Sequence, residues 1–254
     1  MDNKTNINAI ILAAGFGKRT EGILKQLPKT LIVTKDGQTI LDHLLNEITT
    51  AFRFSTISII SNNKYHKLLE NHLRNEVTYK NIRLYNDGRN NADERLGALG
   101  DLKFAFDSIN ANKGKYFIFP SDYAFWHSFR IKDFINFSLK QKEHFTTIVR
   151  NVKDPKIIEK RFGCAVLNDK NEIIHFLEKP VNPLSPLAAT PFYKFENSHR
   201  LLLQQYISDG GNPDSPGNFI PYLIRKGQTI KAMIIDNDII DAGTPADIEE
   251  AKKY

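Results

Sequence analysis

Near the start of the chain an apolar run from Asn8 to Leu12 gives way to AAGFGKR, and Lys29 follows ten residues after Arg19 in LPKTL. Glycines that leave a buried strand let the backbone turn tightly and approach a ligand without interference from a Cβ. The amides of such a turn can hold phosphate oxygens, and Lys18, Arg19, Lys25 and Lys29 supply the positive charge a polyphosphate calls for. A tight turn with a solvated basic flank would use the same residues. Gly15 and Gly17 lack the third glycine of a dinucleotide-binding loop, and no GKS or GKT completes a P-loop.

Two acids stand at the ends of apolar runs, Asp122 after YFIFPS and Asp241 after MIIDNDII. Carboxylates at strand ends suit a ligand crevice, although they serve equally as caps. Converging, two of them would hold a hard cation such as Mg2+, which takes oxygen ligands and bridges phosphates. Asp236 and Asp238 are neighbouring alternatives to Asp241. In FLEKP, Pro180 disfavours a helical conformation at Lys179. Gly163 in RFGCAV marks a bulge or a close backbone approach. The polar stretch YNDGRNNADERLGALGDL offers Asn86 as a donor and acceptor for a base edge, then Leu96, Gly97 and Ala98 before a helix. No Ser/His/Asp nucleophile set is convincing. His43, His66 and His72 fall on expected helices, His175 is expected to be structural, and Cys164 is expected to be a small buried residue. Phe125 and Trp126 suit core packing or a cover over a ligand.

The elements that must position these residues alternate. ILDHLLNEITTAF carries an apolar face at Ile40, Leu41, Leu44, Leu45 and Ile48, STISIIS is rich in β-branched residues, and NKYHKLLENHLRN is helical again. A short strand over 82–85, a helix over 98–109, the strand KYFIFPSD and the helix FRIKDFINFSLKQK follow. Short apolar strands alternating with amphipathic helices indicate a largely parallel α/β sheet. After residue 140 the strands FTTIVRNV, FGCAVLN and EIIHFLEKP crowd together, and KAMIIDNDIIDAG reads as one strand near the end. The expectation is a single domain over 1–254, with 141–254 completing the sheet and the cleft begun by 1–140.

Composition bounds the reading. The 254 residues are 41% apolar and 25% charged, with one cysteine and a formal charge of +6. These values fit a soluble globular chain without disulfides or a multi-cysteine zinc site. The basic residues are scattered, with no zinc-finger spacing and no repeat, so nucleic-acid binding is not expected. Neither a secretory signal nor an apolar stretch long enough to span a bilayer is visible. A cytoplasmic location without membrane insertion is therefore expected, and a homo-oligomer is left open.

GFGKR followed by LPKTL, FPSD, the glycine strand followed by FLEKP, and DAGTP, in that order, resemble the sugar-phosphate nucleotidyltransferases, the NDP-sugar pyrophosphorylases. The resemblance covers nearly the whole chain and implies that 1–140 is mainly nucleotide-binding and 141–254 mainly acceptor-binding and sheet-completing. It implies a Rossmann-like mixed sheet flanked by helices, a three-layer GT-A-like architecture, and Mg2+-dependent transfer of a nucleotidyl group from an NTP to a sugar 1-phosphate. It further implies that Leu12, Ala13, Ala14, Gly15, Gly17, Lys18, Arg19 and Lys29, with Leu96, Gly97 and Ala98, bind the nucleotide. Arg19, Lys29, Asp122 and Lys179 would be catalytic. Asp122 and Asp241 would hold Mg2+, while Gly163, Glu178 and Lys179 would meet the acceptor. An attached acyltransferase is not expected. The asparagine-containing strand usual after EKP is replaced by SPLAATPFYKFENS, where Thr190 or Tyr193 stands in. That departure keeps open a non-sugar acceptor such as phosphocholine, and a noncatalytic nucleotide-binding role is the other alternative.

Overall fold

The computed structural model describes residues 6–24, 26–74, 81–111, 114–125, 130–236 and 239–253. Lys25, Trp126 and Asp238 lie outside the described residues. Strand β1 (Ile7–Ala13) runs parallel to β2 (Ile57–Ser61) on one side and β4 (Lys115–Pro120) on the other, and β3 (Ile82–Asn86) extends the sheet beyond β2. The later chain completes it: β9 (Leu187–Glu196) inserts antiparallel between β4 and β6 (Phe145–Asn151), and β10 (Ile230–Ile235) lies parallel to β6. The order is β10-β6-β9-β4-β1-β2-β3. The antiparallel pair β7 (Gly163–Leu167) and β8 (Ile173–Leu177) branches from β9. Thus the sheet is mixed and helices flank it, as the family resemblance implied.

The continuous apolar runs are explained by burial on both faces. Along β1, Ala9, Ile11 and Ala13 pack into one core while Ile10 packs into the other. Phe117 and Phe119 of β4 share the first core with α2 (Ile40–Ala51) and α5 (Ile131–Lys140). Tyr116 and Ile118 face the second, built with α4 (Ala98–Ser108), α6 (Asn197–Ser208) and α7 (Phe219–Arg225). Among the described residues no helix is long and apolar enough to cross a membrane.

One expectation needs correction. KAMIIDNDIIDAG is not one strand: β10 joins the main sheet, and β11 (Ile239–Asp241) forms a separate antiparallel ribbon with β5 (Tyr123–Phe125). Within LPKTLIV, Lys29–Leu31 forms a 3-10 turn that starts after Pro28.

Candidate active site

The loop after β1 is held from behind. Asn62 Nδ2 donates to the Ala14 carbonyl at 2.9 Å, the Tyr65 hydroxyl donates to the Phe16 carbonyl at 3.3 Å, and the Thr20 hydroxyl donates to the Gly17 carbonyl at 3.0 Å. With these carbonyls engaged, the amides of Gly15, Phe16 and Gly17 donate to no acceptor among the described residues. Three successive free N–H groups form an anion-binding concavity. A methyl group at Gly15 would meet nothing within 4 Å, so packing does not require glycine there. Gly17 is different, because its φ of +64° favours a residue without a Cβ.

That loop forms one wall of a cavity of about 370 Å3. Leu12, Ala14, Gly15, Arg19 and Lys29 line it, while Ala13 and Gly17 face a smaller adjoining space together with Lys29 and Asp122. Arg19 makes no hydrogen bond or ion pair among the described residues. Lys18 does not line the cavity; it is exposed and paired with Asp93 at 2.7 Å. Leu96 also lies off it, whereas Gly97 and Ala98 line it. A Cβ on Gly97, whose φ is +77°, would come within 2.6 Å of the Pro213 carbonyl oxygen. The amides of Ala98 and Leu99 donate to the carbonyls of Asp214 and Pro213. That glycine thus allows the start of α4 to dock on the 213–214 segment. Asn86 donates to Asn63 and does not line the cavity, and neither does the exposed His175.

The two acids meet through the ribbon. Tyr123 pairs with Asp241 across β5 and β11, and the Ala242 amide donates to the Asp122 carbonyl at 3.0 Å. Both acids line the cavity. Lys29 Nζ lies 3.3 Å from Asp122 Oδ2. Burial, with the Asp122 charge beside it, pushes Asp241 up to about 7 against the opposing pull of Lys29 and Arg19. A buried carboxyl facing another carboxylate calls for a cation. Among the described residues no cluster of three or more His, Cys, Asp or Glu could hold a metal by itself. Two oxygen donors with room for phosphate and water match Mg2+, which keeps such ligands. The local sequence separates the jobs within DAGTP: Asp241 faces the cavity, while Thr244 caps α8 (Pro245–Ala251) in a capping box with Asp247.

On the opposite strands, Glu178 and Lys179 follow β8 into the cavity. Lys179 adopts a φ of +47° immediately before Pro180, a conformation rare for a side-chain-bearing residue, and its Nζ donates to the Ser215 hydroxyl at 3.0 Å. Glu178 is wedged between two glycines. A Cβ at Gly163 would lie 3.1 Å from Glu178 Oε2, and one at Gly217 would overlap that oxygen at 1.9 Å. Burial raises the Glu178 pKa, partly offset by Lys179 and by a hydrogen bond from Ser215. Thr190 and Tyr193 both line the cavity. They do so across a register shift: Thr147 pairs with Tyr193 but Ile148 pairs with Thr190, so Pro191 falls in a bulge where its missing N–H interrupts no ladder.

Sequence reasoning did not single out Arg95, Arg161 or the 214–217 segment, all of which line the cavity. Arg95 is held by Asp214 at 2.9 Å and Arg161 by Asp247 at 3.4 Å. Their signal was adjacency, one residue before LGALG and one before FGC; nothing in SPGN distinguishes it from an ordinary turn.

A loop of free amides with two cations, facing a carboxylate pair in a cleft at strand ends, defines a phosphoryl-handling α/β protein. The chain belongs to the nucleotidyl transferase family, whose profile matches residues 8–254. By family it is a nucleotidyltransferase, as the ordered motifs implied. It is 29% identical to the bifunctional protein GlmU of Methanocaldococcus jannaschii, covering 98% of this chain and 54% of that protein. It is 27% identical to the UTP–glucose-1-phosphate uridylyltransferase AglF of Haloferax volcanii, covering 97% of this chain and 96% of that one. The chain therefore spans about half of the first relative and nearly all of the second. A crystal structure of a putative glucose-1-phosphate thymidylyltransferase from Bacillus anthracis superposes with a TM-score of 0.77 at 22% identity, covering 97% of this chain and 94% of that one, and the two share a fold.

Proposed function

We propose that this protein transfers a nucleotidyl group from an NTP to a sugar 1-phosphate, giving an NDP-sugar and pyrophosphate, in a Mg2+-dependent reaction. The observation that carries this is the single cavity lined by the free-amide loop with Arg19 and Lys29, by the Asp122 and Asp241 pair, and by Glu178 and Lys179. The name of the Haloferax volcanii relative, a UTP–glucose-1-phosphate uridylyltransferase, supports the acceptor class.

A sugar 1-phosphate oxygen attacks the α-phosphorus and pyrophosphate leaves in line. The nucleophile is already anionic, so no general base is required. The obstacle is bringing two polyanions together and stabilising the charge of the transition state. Arg19 and the amides of Gly15, Phe16 and Gly17 hold the triphosphate. Lys29, fixed against Asp122, neutralises the transferring group. Lys179, oriented by Ser215, holds the acceptor phosphate, and Glu178 accepts hydrogen bonds from sugar hydroxyls. Asp122 and Asp241 would hold Mg2+, which when bound neutralises phosphate charge at the reacting centre.

Pyrophosphate release from four NTPs against several sugar 1-phosphates and phosphocholine tests this. Release with a sugar 1-phosphate is expected. Release with phosphocholine alone, or with no acceptor, would overturn the acceptor assignment. Asp122→Asn is expected to lower kcat by about 100-fold or more with the fold intact, the scale of losing one preorganised charge at a reacting centre; near-normal turnover would sink the metal assignment.

A further inference from the structure

The reaction above leaves one cation of the cavity unused. Arg161 lines the cavity from the turn that leads into β7, and its side chain is half-exposed. Its guanidinium lies 5.2 Å from the centroid of the Phe162 ring, which lines the cavity too. Arg150 approaches the same ring at 5.5 Å but is spent on the Ile239 carbonyl, to which it donates at 2.9 Å. Arg161 has one polar partner among the described residues: its Nη2 reaches Asp247 Oδ2 at 3.4 Å, a long contact. That oxygen already accepts from the Thr244 amide at 3.0 Å and from the Thr244 hydroxyl at 2.6 Å. Most of the five donors of the guanidinium are therefore uncommitted. Two neighbouring turns fix where they stand. The Lys160 amide donates to the Pro180 carbonyl at 3.0 Å, which ties the Arg161 turn to the one that carries Lys179. On the other side, Asp247 leads back through Thr244 to Gly243, where a Cβ would lie 3.3 Å from the Asp241 carboxylate. Arg161 thus bridges the turn of Lys179 and the turn of Asp241.

We propose that Arg161 binds the phosphate of the sugar 1-phosphate together with Lys179, as a further catalytic residue of the transfer. This rests on the reading of the cavity given above. On that reading the attacking phosphate lies between Lys179 and the Asp122 and Asp241 pair, which is the gap Arg161 spans. A phosphate monoester presents three terminal oxygens, and one of them must stay free to attack. The Lys179 ammonium is a point charge already shared with the Ser215 hydroxyl, so it attracts the group without fixing its rotation. A guanidinium fork takes two oxygens in parallel hydrogen bonds and leaves the third for the α-phosphorus. The Phe162 ring holds the guanidinium in place before the substrate arrives. Giving up the long contact with Asp247 costs little, because the carboxylate keeps both bonds from Thr244.

The test compares the full chain with Arg161→Ala, Arg161→Lys and Asp247→Asn. Pyrophosphate release gives kcat and the acceptor KM for glucose, galactose, mannose and N-acetylglucosamine 1-phosphates. Calorimetry with Mg2+ and α,β-methylene NTPs gives the Kd of the same acceptors. Arg161→Ala should raise the acceptor KM and Kd by about tenfold or more for every sugar 1-phosphate the wild type binds. The ranking of the sugars should persist, and NTP affinity should stay within about twofold of wild type. Arg161→Lys should recover part of the affinity but not kcat, since a point charge does not orient the phosphate. Asp247→Asn removes the ion pair and keeps the guanidinium, so the acceptor KM should stay within about twofold. A loss in Asp247→Asn equal to that in Arg161→Ala would make Arg161 a mere tie to α8 and overturns the proposal. So does an unchanged acceptor Kd in Arg161→Ala, a loss confined to one sugar, or an equal loss of NTP affinity. Arg161-dependent binding of a sugar 1-phosphate without pyrophosphate release upholds the contact and ends the transfer reaction. Turnover indifferent to Arg161 does the reverse, and failure to bind any sugar 1-phosphate overturns both.

Discussion

Glu178 has little freedom: Gly163 and Gly217 leave just enough room for its carboxylate, and Phe176 closes in on both glycines. Gly217→Ala puts a methyl group within 1.9 Å of Glu178 Oε2, on a buried backbone segment that cannot easily retreat. Displacement of a substrate-positioning group by about 1 Å can cost about 100-fold. Steady-state kinetics should show kcat/KM for the sugar 1-phosphate falling by about 10- to 100-fold, with NTP affinity within about twofold of wild type. An equal loss of NTP affinity would show that Glu178 does not face the acceptor. Lys179→Ala should likewise raise the acceptor KM by about tenfold or more through loss of a charge-assisted phosphate contact. An unchanged KM would remove Lys179 from the acceptor site.

At the scale of elements, α2 is joined to α3 (Asn63–Arg74) by a polar contact that the chemistry does not use. Asp42 completes the capping box of α2 with Thr39 and accepts a hydrogen bond from His72 Nε2 at 2.7 Å. Burial would raise the Asp42 carboxyl, but the bonds from His72 and Thr39 outweigh it and hold its pKa at about 2. A carboxyl depressed below its unfolded value of 3.8 stabilises the fold above that pH. The contribution fades as pH falls towards 2. Asp42→Asn should therefore lose on the order of 1–2 kcal/mol at pH 7. Denaturant midpoints measured against pH should show the gap to wild type closing in acid, and a gap independent of pH between 2 and 7 would refute the linkage. The short ribbon of β5 and β11 joins the segment after β4 to the one after β10 and, with the Ala242 amide on the Asp122 carbonyl, brings Asp122 to Asp241.

Across the whole molecule, the two halves expected from sequence share one sheet. β9 lies between β4 and β6, and Phe195 on it packs against Phe106, Phe145 and Phe219 from three other elements. Neither 1–140 nor 141–254 can close this core alone. Calorimetry of the full chain should give one unfolding transition, raised by NTP with Mg2+. Two separable transitions would mean that the halves fold independently.

The alternation of apolar strands with amphipathic helices was legible because burial on both sheet faces writes continuous apolar runs, as in ISIIS and KYFIFP. The tight glycine loop after β1 was legible because glycines that leave a buried strand let the backbone turn without a Cβ. Arg95, Arg161 and Gly217 were not, since their contacts with Asp214, Asp247 and Glu178 span 119, 86 and 39 residues, and a surface arginine or turn glycine looks the same without its partner. The break between β10 and β11 was hidden for the same reason: MIIDNDII is apolar at both ends, and only the positions of β6 and β5 decide which strand each end joins. Sequence by itself determined the elements and the residue types able to handle phosphate, because local propensity and burial pattern are properties of short stretches. Tertiary structure alone decided that Asp122 meets Asp241 and that Gly97 serves the 213–214 segment, because both depend on chain segments brought together by the sheet.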